Sequence, residues 1–299
     1  LSKRELNLSR RALLRYSAVG LAAVGGGSLL AACQTTNPET GQVEGSGLQQ
    51  RIDSGQPVRL AVANEPPYTK LEANGELTGA SPDVTKAVLE RLGITKVEGI
   101  QTDYDSMIPG LDADRWDIVS AGLFMNKTRC AKVLYASPDI VSTESFAVPA
   151  GNPKKLTTVD ALLDSDAVVA VLAGSYELKT AKALGVPESQ LQTYPKAPDA
   201  MQGMRDGRVD AVLLPTLTLK SHKEQYGGEF EITEPLESFP TTGAGAAFRK
   251  SDADFHKKFD TELKKFKETD EFAQILDKWG FDAKASRKST TEQLCATEG

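Results

Sequence analysis

Histidine is nearly missing from this chain: there are two, His222 and His256, in 299 residues. Both fall in segments that read as exposed helix, and the motifs described below contain no convincing acid/base pair. Catalytic residues, a metal centre and a cofactor are therefore not expected. A basic excess is missing too. The formal charge is −6, which argues against nucleic acid, because neutralising phosphates requires a basic face. Long apolar runs are absent apart from residues 16–32, a stretch too Gly-rich and too short to be comfortable as a membrane span. No internal repeat is visible. Cysteine is sparse, with three residues, and their positions are informative.

The first cysteine ends an address. Ser9-Arg10-Arg11-Ala12-Leu13-Leu14 reads as a twin-arginine signal, the apolar run follows, and Leu30-Ala31-Ala32-Cys33 resembles a bacterial lipobox. Residues 1–33 are thus expected to be a lipoprotein signal, with lipid on Cys33 tethering the product outside the cytoplasmic membrane. Residues 34–56 are rich in Thr, Asn, Pro, Gly, Ser and Gln, too poor in apolar surface to offset ordering entropy, and read as a flexible tether. With Cys33 taken by lipid, Cys130 and Cys295 remain as an even pair. An oxidising compartment favours a disulfide between them over two buried thiols.

From Pro57 onward, short apolar strands alternate with amphipathic helices. Strands are predicted at 58–62, 117–119, 145–148, 168–172, 211–214 and 243–248. Helices are predicted at 82–92, from 107, and at 177–184, 197–206, 253–267 and 271–278. This alternation argues for an α/β fold with mainly parallel sheets. Gly/Pro-marked crossings near 148–151 and 241–246 divide the chain in an A, B, A order. The expected parts are a first lobe of 57–148 plus 243–299 and a second of 149–242, joined by a two-strand hinge with a ligand cleft between them.

The stretch Ala121-Gly122-Leu123-Phe124-Met125-Asn126-Lys127-Thr128-Arg129 carries the strongest chemical signal. It sets an aromatic face, which attracts a diffuse cation, close to a guanidinium, which grips a carboxylate at two points. A pocket for a small zwitterion is the natural reading.

Further motifs are Asn64-Glu65-Pro66-Pro67-Tyr68, Thr78-Gly79-Ala80-Ser81-Pro82-Asp83-Val84, Tyr104-Asp105-Ser106-Met107-Ile108-Pro109-Gly110-Leu111, Trp116-Asp117-Ile118-Val119 and Gly207-Arg208-Val209-Asp210-Ala211-Val212. In this order and spacing the chain, from Pro57 to about Phe281, resembles the amino-acid-type family of extracellular solute-binding proteins that serve ABC importers. The resemblance implies a type II periplasmic-binding-protein fold, a monomer, and partnership with permease transmembrane subunits.

Two departures narrow the ligand. Amino-acid binders of this family usually carry a small hydroxyl residue where Phe124 stands, and most place Asp where Pro215 stands to hold an α-ammonium. A localised ammonium without that acid costs several kcal/mol to bury. The motif set, with Thr128-Arg129-Cys130 and Leu294-Cys295-Ala296, is similar to ectoine/hydroxyectoine-binding components, whose ligand joins a carboxylate to a cyclic amidinium. The resemblance assigns Arg129 to the carboxylate, Phe124, Tyr68 and Tyr104 to the walls and Glu65 to the amidinium. Gly174, Ser175 and Tyr176, leading into a helix, would form the far half of the clamp, and Pro215 would line the cleft. Each has a plainer reading: a surface Arg, a core Phe, packed anchors for the tyrosines and a turn cap for Glu65. Rival functions are binding of another amino acid or a betaine, a dehydratase acting on cyclic acids on the same fold, and a sensory lipoprotein.

Overall fold

A computed structural model describes residues 47–297. The twin-arginine signal, Cys33 and most of the expected tether lie outside these residues. The tether's end does not: Leu48–Asp53 is a helix with Leu48 wholly buried. Two apolar residues, Leu48 and the half-buried Ile52, and an ion pair fix it, since Arg51 reaches Asp117 at 3.3 Å. No helix among the described residues is long and apolar enough to cross a membrane.

Two five-stranded sheets organise the chain. In the first, Val97–Gln101, Val58–Val62 and Ile118–Val119 run parallel, and Ala247–Phe248 and Leu134–Tyr135 close the far edge antiparallel. In the second, Leu191–Tyr194, Val169–Leu172 and Ala211–Pro215 are parallel, followed by the antiparallel pair Glu144–Pro149 and Phe230–Ile232. "Mainly parallel" is thus corrected to half parallel in each sheet. Glu144–Pro149 and Ala247–Phe248, each entered where the chain crosses between the sheets, run against the strands on both sides of them.

The change of sheet occurs at Ile140–Ser142, which pairs antiparallel with Thr242–Ala244. Glu144–Pro149 consequently belongs to the second sheet, not to the first lobe where the boundary at 148 had put it. The predicted return strand 243–248 is likewise two pieces, one in the hinge pair and one in the first sheet. Apolar continuity hid both breaks: Ile140, Phe146, Ala147, Ala244 and Ala247 are all buried, on either side of each crossing.

Several local details fix the first lobe. Asp117, fully buried, accepts two bonds from the Arg59 guanidinium (3.0 and 2.8 Å), which joins two neighbouring strands by a charge-assisted fork. The helix Ala253–Lys267 buries Phe255, Phe259, Leu263 and Phe266 at helical spacing. Its last lysine is not on a solvated face: Lys267 is buried and donates to the carbonyls of Pro138 and Ser286. His222 also differs from expectation. It is buried in the helix Thr216–Tyr226, because that helix packs on the second sheet.

Candidate functional site

The loop after Ile118–Val119 is shaped by Gly122, whose φ of +65° and close neighbour leave no room for a side chain. A Cβ there would stand 2.6 Å from the Tyr68 ring. Asn126 then caps the short helix Lys127–Cys130, its Oδ1 accepting from the Arg129 N–H at 2.8 Å. Cys130 is bonded to Cys295, with Cα atoms 5.8 Å apart. The tail is held further where Lys127 N–H donates to the Thr297 carbonyl at 3.0 Å. Phe124 and Arg129 therefore stand on a loop braced from both ends.

Arg129 is 4 % exposed. Its guanidinium donates to the Phe124 carbonyl at 2.7 Å and, across the cleft, to the Gly174 carbonyl at 2.9 Å. Gly174 has φ +69° and abuts Asp105 so closely that a Cβ would lie 2.6 Å from that side chain. It serves as a contact between lobes and does not itself line the cavity. The other expected residues do: Glu65, Tyr68, Tyr104, Phe124, Arg129, Ser175, Tyr176 and Pro215 surround one cavity, with Gly122, Leu172, Glu177 and Leu214. The walls approach so closely that about 10 Å³ is left, room for about one water.

Three aromatic rings are arranged edge to face. Phe124 meets Tyr68 at 5.7 Å between centroids and 76° between planes, and Tyr176 at 5.9 Å and 88°. Such pairs contribute about 0.5–1.5 kcal/mol each beyond area burial. Tyr68 is pinned by Phe281 at 4.9 Å and by a short hydrogen bond between its hydroxyl and that of Ser142 on the hinge strand. Tyr176, first residue of the helix Tyr176–Ala183, is buried, and its phenol faces Thr180 and Thr297. Ser175 caps that helix, accepting from Leu178 N–H at 3.2 Å.

Glu65 sits in the turn before the cis Pro66–Pro67 bond. Its Oε2 accepts from the Tyr104 hydroxyl at 2.9 Å, and its Oε1 from Thr218 in the second lobe at 2.8 Å. Burial first, and then the charge of Glu177, push its pKa up to about 7, against the lowering effect of these hydroxyls. Burial, then Glu144, likewise holds the Tyr68 phenol well above its ordinary range.

One expectation is overturned. The second lobe does supply an acid: Glu177, 3 % exposed, lines the cavity. Pro215 removes a carboxylate from one place, while the helix start supplies another. Glu144 and Thr218 also escaped the sequence reading. Glu177 alone had a signal, as the second residue of a capped helix facing a cleft. Among the described residues no cluster of His, Cys, Asp and Glu is arranged to hold a metal.

Comparison with known proteins agrees with this architecture. Residues 58–282 match the model of the bacterial extracellular solute-binding proteins, family 3. The chain belongs to that family. It is 32% identical over 266 residues to a probable amino-acid ABC transporter periplasmic-binding protein, y4tE, of Sinorhizobium fredii (strain NBRC 101917 / NGR234), covering 85% of this chain and 88% of the relative. Among solved structures it is similar to EhuB in complex with hydroxyectoine: TM-score 0.79, 38% identity, 84% of this chain and 98% of that one. An ancestral amino acid-binding protein, AncCDT-1, a precursor of cyclohexadienyl dehydratase, matches at TM-score 0.68 and 25% identity, over 77% and 97% of the two chains. The two-lobe type II fold is thereby established for this solute-binding protein.

Proposed function

We propose that this family member is the extracytoplasmic receptor of an ABC importer for ectoine or hydroxyectoine, and that it hands the solute to a permease. The observation that carries the reading is the placement of one guanidinium and two carboxylates in a single aromatic-walled cavity. Arg129 meets a carboxylate, while Glu65 and Glu177, which line the same cavity as Phe124, face the opposite charge. A delocalised amidinium suits this setting better than an ammonium, because it is weakly hydrated and spreads its charge over a ring that can lie on aromatic faces. The likeness to EhuB supports the same ligand class.

The mechanism is capture followed by closure. With the lobes this close, a ring-sized ligand enters only when they part, and it holds them slightly wider than here. Arg129, Phe124, Tyr68 and Glu65 come from the first lobe, and Ser175, Tyr176 and Glu177 from the second. The ligand therefore contacts both and has the differential affinity that closure requires. We propose further that the receptor works as a monomer anchored by lipid on Cys33, without a cofactor and without turnover.

Calorimetric titration with ectoine, hydroxyectoine, glycine betaine, proline and arginine tests the assignment. The first two should bind at least about tenfold more tightly than the others, a difference of about 1.4 kcal/mol. Tightest binding of arginine or proline would replace the ligand. A dehydratase is the second reading, favoured by a single feature: Glu65, with a pKa near 7, could act as a general acid. Incubation with prephenate and arogenate should leave both unchanged.

A further inference from the structure

Glu144 lies behind the cavity rather than in it. It opens the strand Glu144–Pro149 just after the hinge strand Ile140–Ser142 and is 1 % exposed. Its Oε1 accepts from the Thr242 hydroxyl, on the opposite hinge strand, at 3.1 Å. Its Oε2 is buried and receives no donor from any described group. The carboxyl that interacts with Glu144, by charge and by hydrogen bonding, is that of Glu177. The titratable groups facing Glu144 are the carboxyls of Glu65 and Glu177 and the phenols of Tyr68 and Tyr176. None of these carries positive charge.

Two carboxylates in contact in a dry interior do not both ionise; one proton is shared between them. Glu177 is the one placed where negative charge is favoured. It sits in the first turn of a helix, where the macrodipole favours negative charge, and it lines the same cavity as Arg129. Glu144 has neither advantage. Burial, followed by the charge and hydrogen bond of Glu177, raises its pKa well above the carboxylate range, and Thr242 offsets only part of this.

We propose that Glu144 is a positioning residue kept as a neutral carboxylic acid, donating a hydrogen bond to Glu177 and so aiming Glu177 as a carboxylate at the cation of the ligand. The inference rests on the proposed function only in assuming that the ligand carries a cation. Because Thr242 holds the other oxygen, the donor is fixed to the hinge and keeps its direction as the lobes move.

Selective ¹³C labelling of glutamate side chains tests the protonation state in the ligand-free protein. The resonance lost in Glu144→Gln should keep the chemical shift of a protonated acid at pH 7; the shift of a carboxylate there would overturn the proposal. Glu144→Asp supplies the same assignment should the glutamine variant not fold. Ectoine titrations test positioning. Glu144→Gln, which still donates to Glu177 and accepts from Thr242, should bind within about threefold of the parent. Glu144→Leu and Glu177→Gln should each lose at least about tenfold, as expected when a hydrogen bond to a charged group is removed. A loss in Glu144→Gln equal to that in Glu177→Gln would make Glu144 a second counter-charge and overturn the proposal. If ectoine is not a ligand at all, the labelling result still decides the proton.

Discussion

Arg129 holds the Gly174 carbonyl across the cleft at 2.9 Å while donating to the Phe124 carbonyl of its own loop at 2.7 Å. One planar fork thus ties the two lobes and remains aimed at the cavity. Arg129→Lys keeps the charge but loses the fork. Ectoine affinity should fall by at least about tenfold, measured by calorimetry, with the far-ultraviolet circular dichroism unchanged.

Phe124 carries edge contacts to a tyrosine from each lobe. Phe124→Ala should weaken ectoine binding by at least about tenfold, through lost cation–π attraction and wall area, without unfolding the protein. Unchanged affinity in a titration would remove Phe124 from the site.

Gly122 is required by its neighbour as well as by its dihedral angle. Gly122→Ala places a methyl 2.6 Å from the Tyr68 ring at φ +65°. It should lower stability by about 1–3 kcal/mol, read from urea unfolding, and displace Tyr68 from its hydrogen bond with Ser142.

Thr218 donates to Glu65 from the opposite lobe at 2.8 Å. Thr218→Val removes this clasp at nearly constant volume and leaves a buried carboxylate oxygen short of a donor, a cost of about 1–3 kcal/mol. The closed form should be depopulated, giving a larger radius of gyration in X-ray scattering of the ligand-free protein. An unchanged radius would show that the clasp does not hold closure.

Asp139 titrates near neutrality for a structural reason. Burial raises its pKa from 3.8 to about 7, only partly opposed by Lys267 and backbone donors. The folded state therefore binds a proton more tightly than the unfolded state does, and this contribution to stability is full below about pH 3.8 and is lost as pH rises through 7. Asp139→Asn lacks this loss. Its melting temperature relative to the parent should be higher at pH 8 than at pH 5; a difference independent of pH would refute the assignment.

Much of the candidate cavity's lining was legible because it lies within short stretches. Phe124 and Arg129 share one loop, Glu65 and Tyr68 one turn, and Ser175 and Tyr176 one helix start, so composition and spacing suffice to group them. Thr218 was not legible as a partner of Glu65, because 153 residues separate them and a threonine in a helix has many plainer uses. Glu144 stands just before the predicted strand 145–148 and carried no signal of its own. Only the pairing of that strand in the second sheet brings it against Thr242 and Glu177. The lobe boundary slipped for a related reason: buried residues continue through the hinge, so hydrophobicity does not change where the chain changes sheet.

The sequence by itself determined the periodicities, caps and turns, and hence the alternation of strands and helices, the A, B, A path and the chemistry of each local motif. These are properties of neighbouring residues, and physical chemistry acts on them without long-range contact. The tertiary structure decided how charge is balanced inside the cleft. Whether a carboxyl is buried, which hydroxyl reaches it and which second acid shares its proton depend on groups brought together from both lobes. Their mutual energies exist only once water has been excluded between them.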